Sequence, residues 1–207
     1  MKRATAVRTA EQVAQRCAHV AAQPAGIVRL RVLEAWLWGP LLGPPVEEVS
    51  DDGGVSVALV CEESAEDCAW GTTPPGAGQW LAASGLARRP VHLVFRPAGQ
   101  PVWNHAVTRP VRLWSAADGT DEDVLRAVGE GAGEGLRPPA PSPVDLALRL
   151  EADLAASLAA VRRASAEHDA HRWAPGSPVG RADALAAAVR GYLELLDAVG
   201  PASRGGG

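Results

Sequence analysis

The sequence of 207 residues is poor in lysine and in aromatic side chains other than tryptophan. It has one Tyr and one Phe against seven Trp, so it is tryptophan-rich, and its basic residues are one Lys and nineteen Arg. The formal net charge is −4. A protein that binds phosphate backbones needs a clustered positive surface, so this balance predicts no nucleic acid partner.

Cysteine is also scarce, and long apolar runs are absent. The three cysteines, Cys17, Cys61 and Cys68, form no CxxC pair, and an odd number suits a reducing compartment better than a disulfide framework. No segment approaches the about 18 consecutive apolar residues typical of a membrane span, and the charged N-terminus lacks the apolar core of a signal peptide. We therefore expect a cytoplasmic protein with no membrane partner.

The spacing of apolar residues predicts a mixed α/β (α+β) fold. Apolar residues recur at helical spacing from Thr5 to Ala22, while alternating or continuous apolar runs bounded by Gly and Pro indicate strands. The predicted strands cover residues 26–39, 55–62, 91–95 and 101–114. Further helices are predicted over residues 77–87 and 121–128.

The C-terminal third is predicted to be a helical hairpin. A proline-rich connection over residues 137–143 precedes two long helical patterns, from Asp145 to His171 and from Arg181 to Val199. In the second, the buried face is predicted to carry Leu185, Val189, Leu193 and Leu196. The predicted domains are an α/β domain over residues 1–136, an antiparallel hairpin over residues 144–200 and a disordered tail over residues 201–207.

The stretch LEAWLWGPLLGPP (33–45) is a strand that ends at Gly39 and leads into a short turn. This element order over residues 5–115 resembles the minimal nucleotidyltransferase fold, in which a strand ends in Gly-Ser and the next strands carry three acids. Gly39 matches that glycine and Pro40 replaces the serine. The next strand offers no acid pair, with Asp51 and Asp52 preceding it, and the third strand offers His92. Two magnesium ions need adjacent carboxylates, so the resemblance implies the fold without its catalysis.

Three stretches carry a second resemblance, which spans the whole chain. The segments MKRATAV, PVWNHAVTRPVRLW and HRWAPG resemble an uncharacterised domain family of actinobacteria that has no assigned activity. This resemblance implies no substrate.

The segment WNHAVTR supplies most of the candidate site. On the predicted strand Trp103 and His105 share one face, and His105 is either a general base near neutral pH or a histidine bonded to backbone. The predicted ligand-binding residues are Gly39, Trp103, Asn104, His105, Arg109 and Trp173. The sequence offers two metal-ligand spacings at a helix end, Glu167 with His171 and His168 with His171, which we interpret as a solvated surface. No metal or cofactor is predicted.

Two functions follow from these patterns. The first is a catalytically inactive nucleotidyltransferase-like module that binds a small molecule or a protein partner. The alternative is a metal-independent enzyme of actinobacterial secondary metabolism, in which His105, Asn104 and Arg109 polarise and position an anionic or carbonyl substrate. The sequence leaves the oligomeric state open, a homodimer included.

Overall fold

The computed structural model describes residues 1–24, 26–49, 54–170 and 178–202. Five strands and five helices follow one another within these ranges, with short 3-10 turns between some of them. The strands are β1 (Val32–Trp38), β2 (Val55–Cys61), β3 (Val91–Pro97), β4 (Val111–Ser115) and β5 (Gly119–Thr120). The helices are α1 (Arg3–Ala21), α2 (Ala77–Ser84), α3 (Glu122–Gly129), α4 (Pro143–Ala170) and α5 (Pro178–Ala202).

The strands form one mixed sheet in the order β3-β2-β1-β4-β5. β2 and β3 run parallel, and the other neighbours are antiparallel. A parallel pair needs a crossover connection, and α2 lies in the segment that joins β2 to β3. The sheet, its flanking helices and the C-terminal helix pair confirm the predicted α+β class.

One face of the sheet forms the core beneath α1, which contacts β1, β2 and β4. Along β1 the inward residues Ala35 and Leu37 are fully buried, and along β2 so are Val57 and Leu59. Because successive side chains of a strand point to opposite faces, the residues between them point away from α1. The opposite face of β1 is half-buried.

Two predicted strands are longer than the observed ones. Residues 101–110 form an irregular loop, and only Val111–Ser115 join the sheet as β4. Pro101 and Pro110 bound this loop, and proline cannot donate to a ladder. The prediction that Trp103 and His105 share a strand face is therefore wrong. β1 likewise begins at Val32 and not near residue 26.

The chain divides into two compact units. The first comprises Met1–Glu62 and Pro75–Ala140 and contains the whole sheet. The second comprises Glu63–Pro74 and Pro141–Gly207, so a loop from between β2 and α2 belongs with the helical hairpin. In this unit α4 and α5 pack together, and the Trp70 indole Nε1 donates to Glu194 Oε2 at 2.7 Å.

The buried side of α5 differs from the predicted one. Ala188, Gly191 and Leu195 are buried and Leu185 is half-buried, whereas Val189, Leu193 and Leu196 are exposed. Gly191 allows this packing because a Cβ there would lie 1.8 Å from the Trp70 carbonyl oxygen. Only a residue without a side chain lets the two backbones approach so closely.

Among the described residues, no helix has the length and apolar character required to span a bilayer. Residues 203–207 of the predicted disordered tail lie outside the described residues, and α5 continues through Ala202.

Candidate functional site

Gly39 ends β1 in a backbone conformation that favours glycine. Its φ is +84°, and it is followed by a 3-10 turn over Pro40–Leu42. An added Cβ would meet only Ser56, with Oγ at 3.6 Å, so the backbone dihedral, and not a lack of space, explains the glycine. The turn places the end of β1 directly beside the start of β2.

Three side chains from adjacent strands form a row next to this turn. The sheet register pairs Trp38 of β1 with Ser56 of β2, and Ser56 with His92 of β3. Residues opposite one another on neighbouring strands have Cβ atoms about 5 Å apart. Trp38, Ser56 and His92, which we call the sheet row, therefore lie together on the face away from α1.

The sheet row has hydrogen-bonding capacity that the surrounding described residues do not use. The Trp38 ring meets the His92 ring edge-on, with centroids 5.7 Å apart, and the buried Trp38 Nε1 has no acceptor among the described residues. A buried indole N–H without an acceptor is unfavourable, since such groups normally find a partner. The Ser56 side chain is half-buried and His92 is exposed, so a ligand can reach these two residues, whereas the Trp38 Nε1 atom itself is buried.

Trp36, on the same face, belongs to a structural cluster. Its Nε1 donates to Glu34 Oε2 at 2.8 Å, and Arg112 pairs with Glu34 at 3.6 Å and with Asp118 at 3.0 Å. Ser115 Oγ also donates to Asp118 at 3.0 Å. These contacts join β1 to β4 and pair the polar groups of this cluster. In the sheet row, by contrast, the Trp38 Nε1 has no acceptor among the described residues.

Asn104 organises the loop over residues 101–110. Its side-chain oxygen accepts the backbone N–H groups of Ala106 at 2.9 Å and of Val107 at 2.7 Å, and its own backbone N–H donates to the Val107 carbonyl. Asn104 itself is buried. Asn side chains commonly stabilise turns in this way, so the side-chain oxygen of Asn104 stabilises the loop.

The Arg109 side chain also forms hydrogen bonds within the protein. Its backbone φ is +46°, a conformation rare for a residue with a side chain. Its guanidinium donates to Glu134 Oε1 at 2.8 Å and to the Pro138 carbonyl at 2.7 Å. Glu134 pairs as well with Arg137 at 3.3 Å, and Arg137 donates to the Gly39 carbonyl.

The predicted site residues are thus brought together only in part. Gly39 and Arg109 are connected through Glu134 and Arg137, in a network that holds loops together. Trp103 and His105 are half-buried in the loop that Asn104 closes. Trp173, the remaining predicted ligand-binding residue, lies outside the described residues, as do Asp51, Asp52 and His171.

The sheet row was missed by the sequence prediction. Its signal was present: Trp38 is the last residue of β1, and Ser56 and His92 are each the second residue of a strand. What the sequence did not supply was the register that sets the three side by side.

A groove with a volume of about 790 Å³ opens elsewhere in the first unit. It is lined by the C-terminal half of α1, the segment that leads into β1, Trp80 and Ala116. Cys17 lies in its wall, and burial raises the pKa of this thiol to about 12. The thiol is neutral at physiological pH and is therefore a poor nucleophile.

Metal-ligand clusters are not found in the part of the chain that the structure describes. No group of three or more His, Cys, Asp or Glu residues there has an arrangement that could hold a metal ion. Glu134, the carboxylate of the network beside Gly39, forms ion pairs with two arginines.

Comparisons with known proteins agree with the second resemblance in that they find an uncharacterised domain family. One family model matches residues 1–201, and its description is Domain of unknown function (DUF7711). No curated protein and no solved structure matches the chain.

Proposed function

The chain belongs to this family of domains of unknown function, DUF7711, and we propose that it is a binding module without catalytic activity. Its ligand would occupy the sheet row beside Gly39. The observation that supports this function most directly is the composition of the row: an indole, a hydroxyl and an imidazole, with no carboxylate, next to a glycine turn. In the nucleotidyltransferase fold that the element order resembles, acids would stand on these strands.

The lack of carboxylates among the three residues of the row supports binding and not nucleotidyl transfer. Divalent ions beside a triphosphate are held by closely spaced carboxylates, which cancel their charge. Ser56 and His92 provide no such charge, and Ala58, the next residue of β2 on this face, is apolar and buried. We therefore expect a ligand that binds without a magnesium ion.

The side chains of the row also indicate the chemistry of the ligand. The half-buried Trp38 indole offers a flat apolar surface, and its buried N–H gains an acceptor only when the ligand displaces the side chains that cover it. Ser56 and His92 can each donate or accept a hydrogen bond. These groups suit a small planar molecule with acceptor atoms at its edge, such as a nucleobase or another heterocycle.

The alternative function is a metal-independent enzyme that uses His105, Asn104 and Arg109. The contacts of two of these residues weigh against it. The Asn104 oxygen already accepts two backbone N–H groups, and the Arg109 guanidinium is bonded to Glu134 and to a carbonyl. A substrate would have to displace these bonds, which hold the loop.

The test is thermal unfolding of the full chain with nucleosides and nucleoside monophosphates, with and without Mg²⁺. A ligand that binds only the folded state raises the unfolding temperature. We expect a rise that does not depend on Mg²⁺ and that is lost in Trp38→Phe, which keeps an aromatic ring but removes the N–H. Trp103→Phe is the matched control, since Trp103 is also half-buried but lies in the loop.

Each result separates the two functions. A rise lost in Trp103→Phe or His105→Ala but kept in Trp38→Phe would favour the enzyme and contradict the sheet row. Magnesium-dependent nucleotide transfer that stops in Asp51→Asn or Asp52→Asn would overturn the proposal of an inactive module. Absence of any stabilisation by these compounds would exclude the nucleobase class.

A further inference from the structure

The second unit presents an apolar face along α5 on which Leu185 and Tyr192 are half-buried and the other residues are exposed. The face consists of the following residues, at helical spacing: Ala182, Leu185, Ala186, Val189, Tyr192, Leu193 and Leu196. Val189 is 37% exposed, Leu193 52% and Leu196 41%. We call these seven residues the α5 face.

The α5 face is apolar along its whole length, and its charges lie elsewhere. The described charged side chains of α5 are Asp183, Arg190, Glu194 and Asp197, none of which is on the face. A helix that lies on an anionic membrane carries Lys and Arg on its polar side. Here acids outnumber the one described base, so a membrane surface is a poor partner and a protein surface is favoured.

The order of the side chains suits a second copy of the same helix. Leu185 and Leu196 lie near the ends of the face, and Val189 and Tyr192 lie between them at intervals of four, three and four residues. This is the heptad spacing of helices that pack side by side. In an antiparallel pair centred between residues 190 and 191, Leu185 meets Leu196 of the partner and Val189 meets its Tyr192. Such a self-complementary patch is what a two-fold interface requires.

We propose that two copies of the chain associate through the α5 face around a two-fold axis. The two hairpins then form a four-helix arrangement. A stable interface uses roughly 20–30 residues a side and buries about 800 Å² per partner. Seven face residues supply about a third of that number, so the dimer is weak and forms reversibly with concentration.

The test is sedimentation equilibrium of the full chain at several concentrations from the low to the high micromolar range. We expect a reversible monomer–dimer equilibrium in the wild type. Leu193→Glu places a charge on the α5 face of both copies, beside the seam formed by Val189, Tyr192 and Leu196, and we expect it to raise the dissociation constant by about tenfold or more. Ile27→Glu is the control, because Ile27 is 54% exposed but lies in the first unit.

A wild type that stays monomeric throughout this range would overturn the proposal. So would a dimer weakened equally by both variants, or by Ile27→Glu alone. Should circular dichroism show that Leu193→Glu is unfolded, Val189→Cys decides instead. The native cysteines are all buried, so a short bis-maleimide reagent should join Val189→Cys chains through the new thiol. Failure of that linkage would overturn the α5 face as the interface.

Discussion

Arg137 donates a hydrogen bond from Nη2 to the main-chain carbonyl oxygen of Gly39, at 2.5 Å, across 98 positions of the sequence. The same guanidinium forms an ion pair with Glu134, which also binds Arg109. The turn at the end of β1 is therefore hydrogen-bonded to the segment that follows α3. The predicted site residues Gly39 and Arg109 are linked by these structural contacts.

The first prediction concerns this network. Arg137→Ala removes the donor to the Gly39 carbonyl and leaves Glu134 with one partner, so we expect the free energy of unfolding to fall by about 1–3 kcal/mol. Urea denaturation measures this change. Arg126→Ala is the control, because Arg126 pairs with Asp123 on an exposed helix surface and such pairs contribute little. Equal losses in the two variants would show that the Arg137 contacts contribute no more than a surface pair.

A second prediction concerns the packing of α5 on the 63–74 segment. Gly191→Ala places a Cβ 1.8 Å from the Trp70 carbonyl oxygen, so the backbones must separate, and we expect a loss of about 3 kcal/mol. Gly78→Ala is the matched control in α2, where an added Cβ meets nothing within 4 Å. Because alanine favours the helix, Gly78→Ala should stabilise by ~0.5–1 kcal/mol. Both changes are measurable by urea denaturation, and an unaffected Gly191→Ala would contradict the close approach.

Stability above pH 9 should depend on Cys17. Burial raises the pKa of this thiol from an ordinary value of 9.0 to about 12 in the folded protein. Between these values the unfolded chain ionises Cys17 and the folded chain does not, so the thiol's contribution to stability is complete below pH 9 and is lost as pH rises towards 12.

The comparison of the wild type with Cys17→Ala isolates this effect. Between pH 8 and pH 10 the wild type should lose about 1 kcal/mol more of its unfolding free energy than Cys17→Ala does, in urea denaturation at each pH. Parallel pH dependences would mean that Cys17 ionises alike in both states.

The loop over residues 101–110 should depend on Asn104. Asn104→Ala leaves the N–H groups of Ala106 and Val107 without their acceptor, and we expect a loss of about 2 kcal/mol. Thr108→Ala changes an exposed side chain of the same loop and should stay within about 0.5 kcal/mol of the wild type. Thermal unfolding compares the two. An unchanged stability of Asn104→Ala would contradict the structural role of the Asn104 side chain in the loop.

The elements set by local chemistry were predictable. Asp121 is followed by an amphipathic segment, and in the structure its carboxylate accepts the Val124 N–H at 3.0 Å, which caps α3. Gly39-Pro40 indicated the end of β1, and Gly39 adopts the positive φ that ends it. The α+β class followed from such signals together with apolar periodicity.

The candidate site was less predictable, because its parts come from three strands. Trp38, Ser56 and His92 are far apart in sequence, and only the register of β1, β2 and β3 brings them into one row. Conversely, the neighbours Asn104 and Arg109 looked functional because they are polar residues in an apolar run, yet their contacts hold the loop.

The sequence by itself determined the approximate positions of the helices and of β2 and β3, since capping, glycine turns and side-chain periodicity act over a few residues. The tertiary structure alone decided which side of α5 is buried. Periodicity favoured the larger residues Val189, Leu193 and Leu196, but Gly191 allows the helix to approach the Trp70 carbonyl, and that contact turns the larger residues outward. A close backbone approach depends on a distant segment, which no local pattern records.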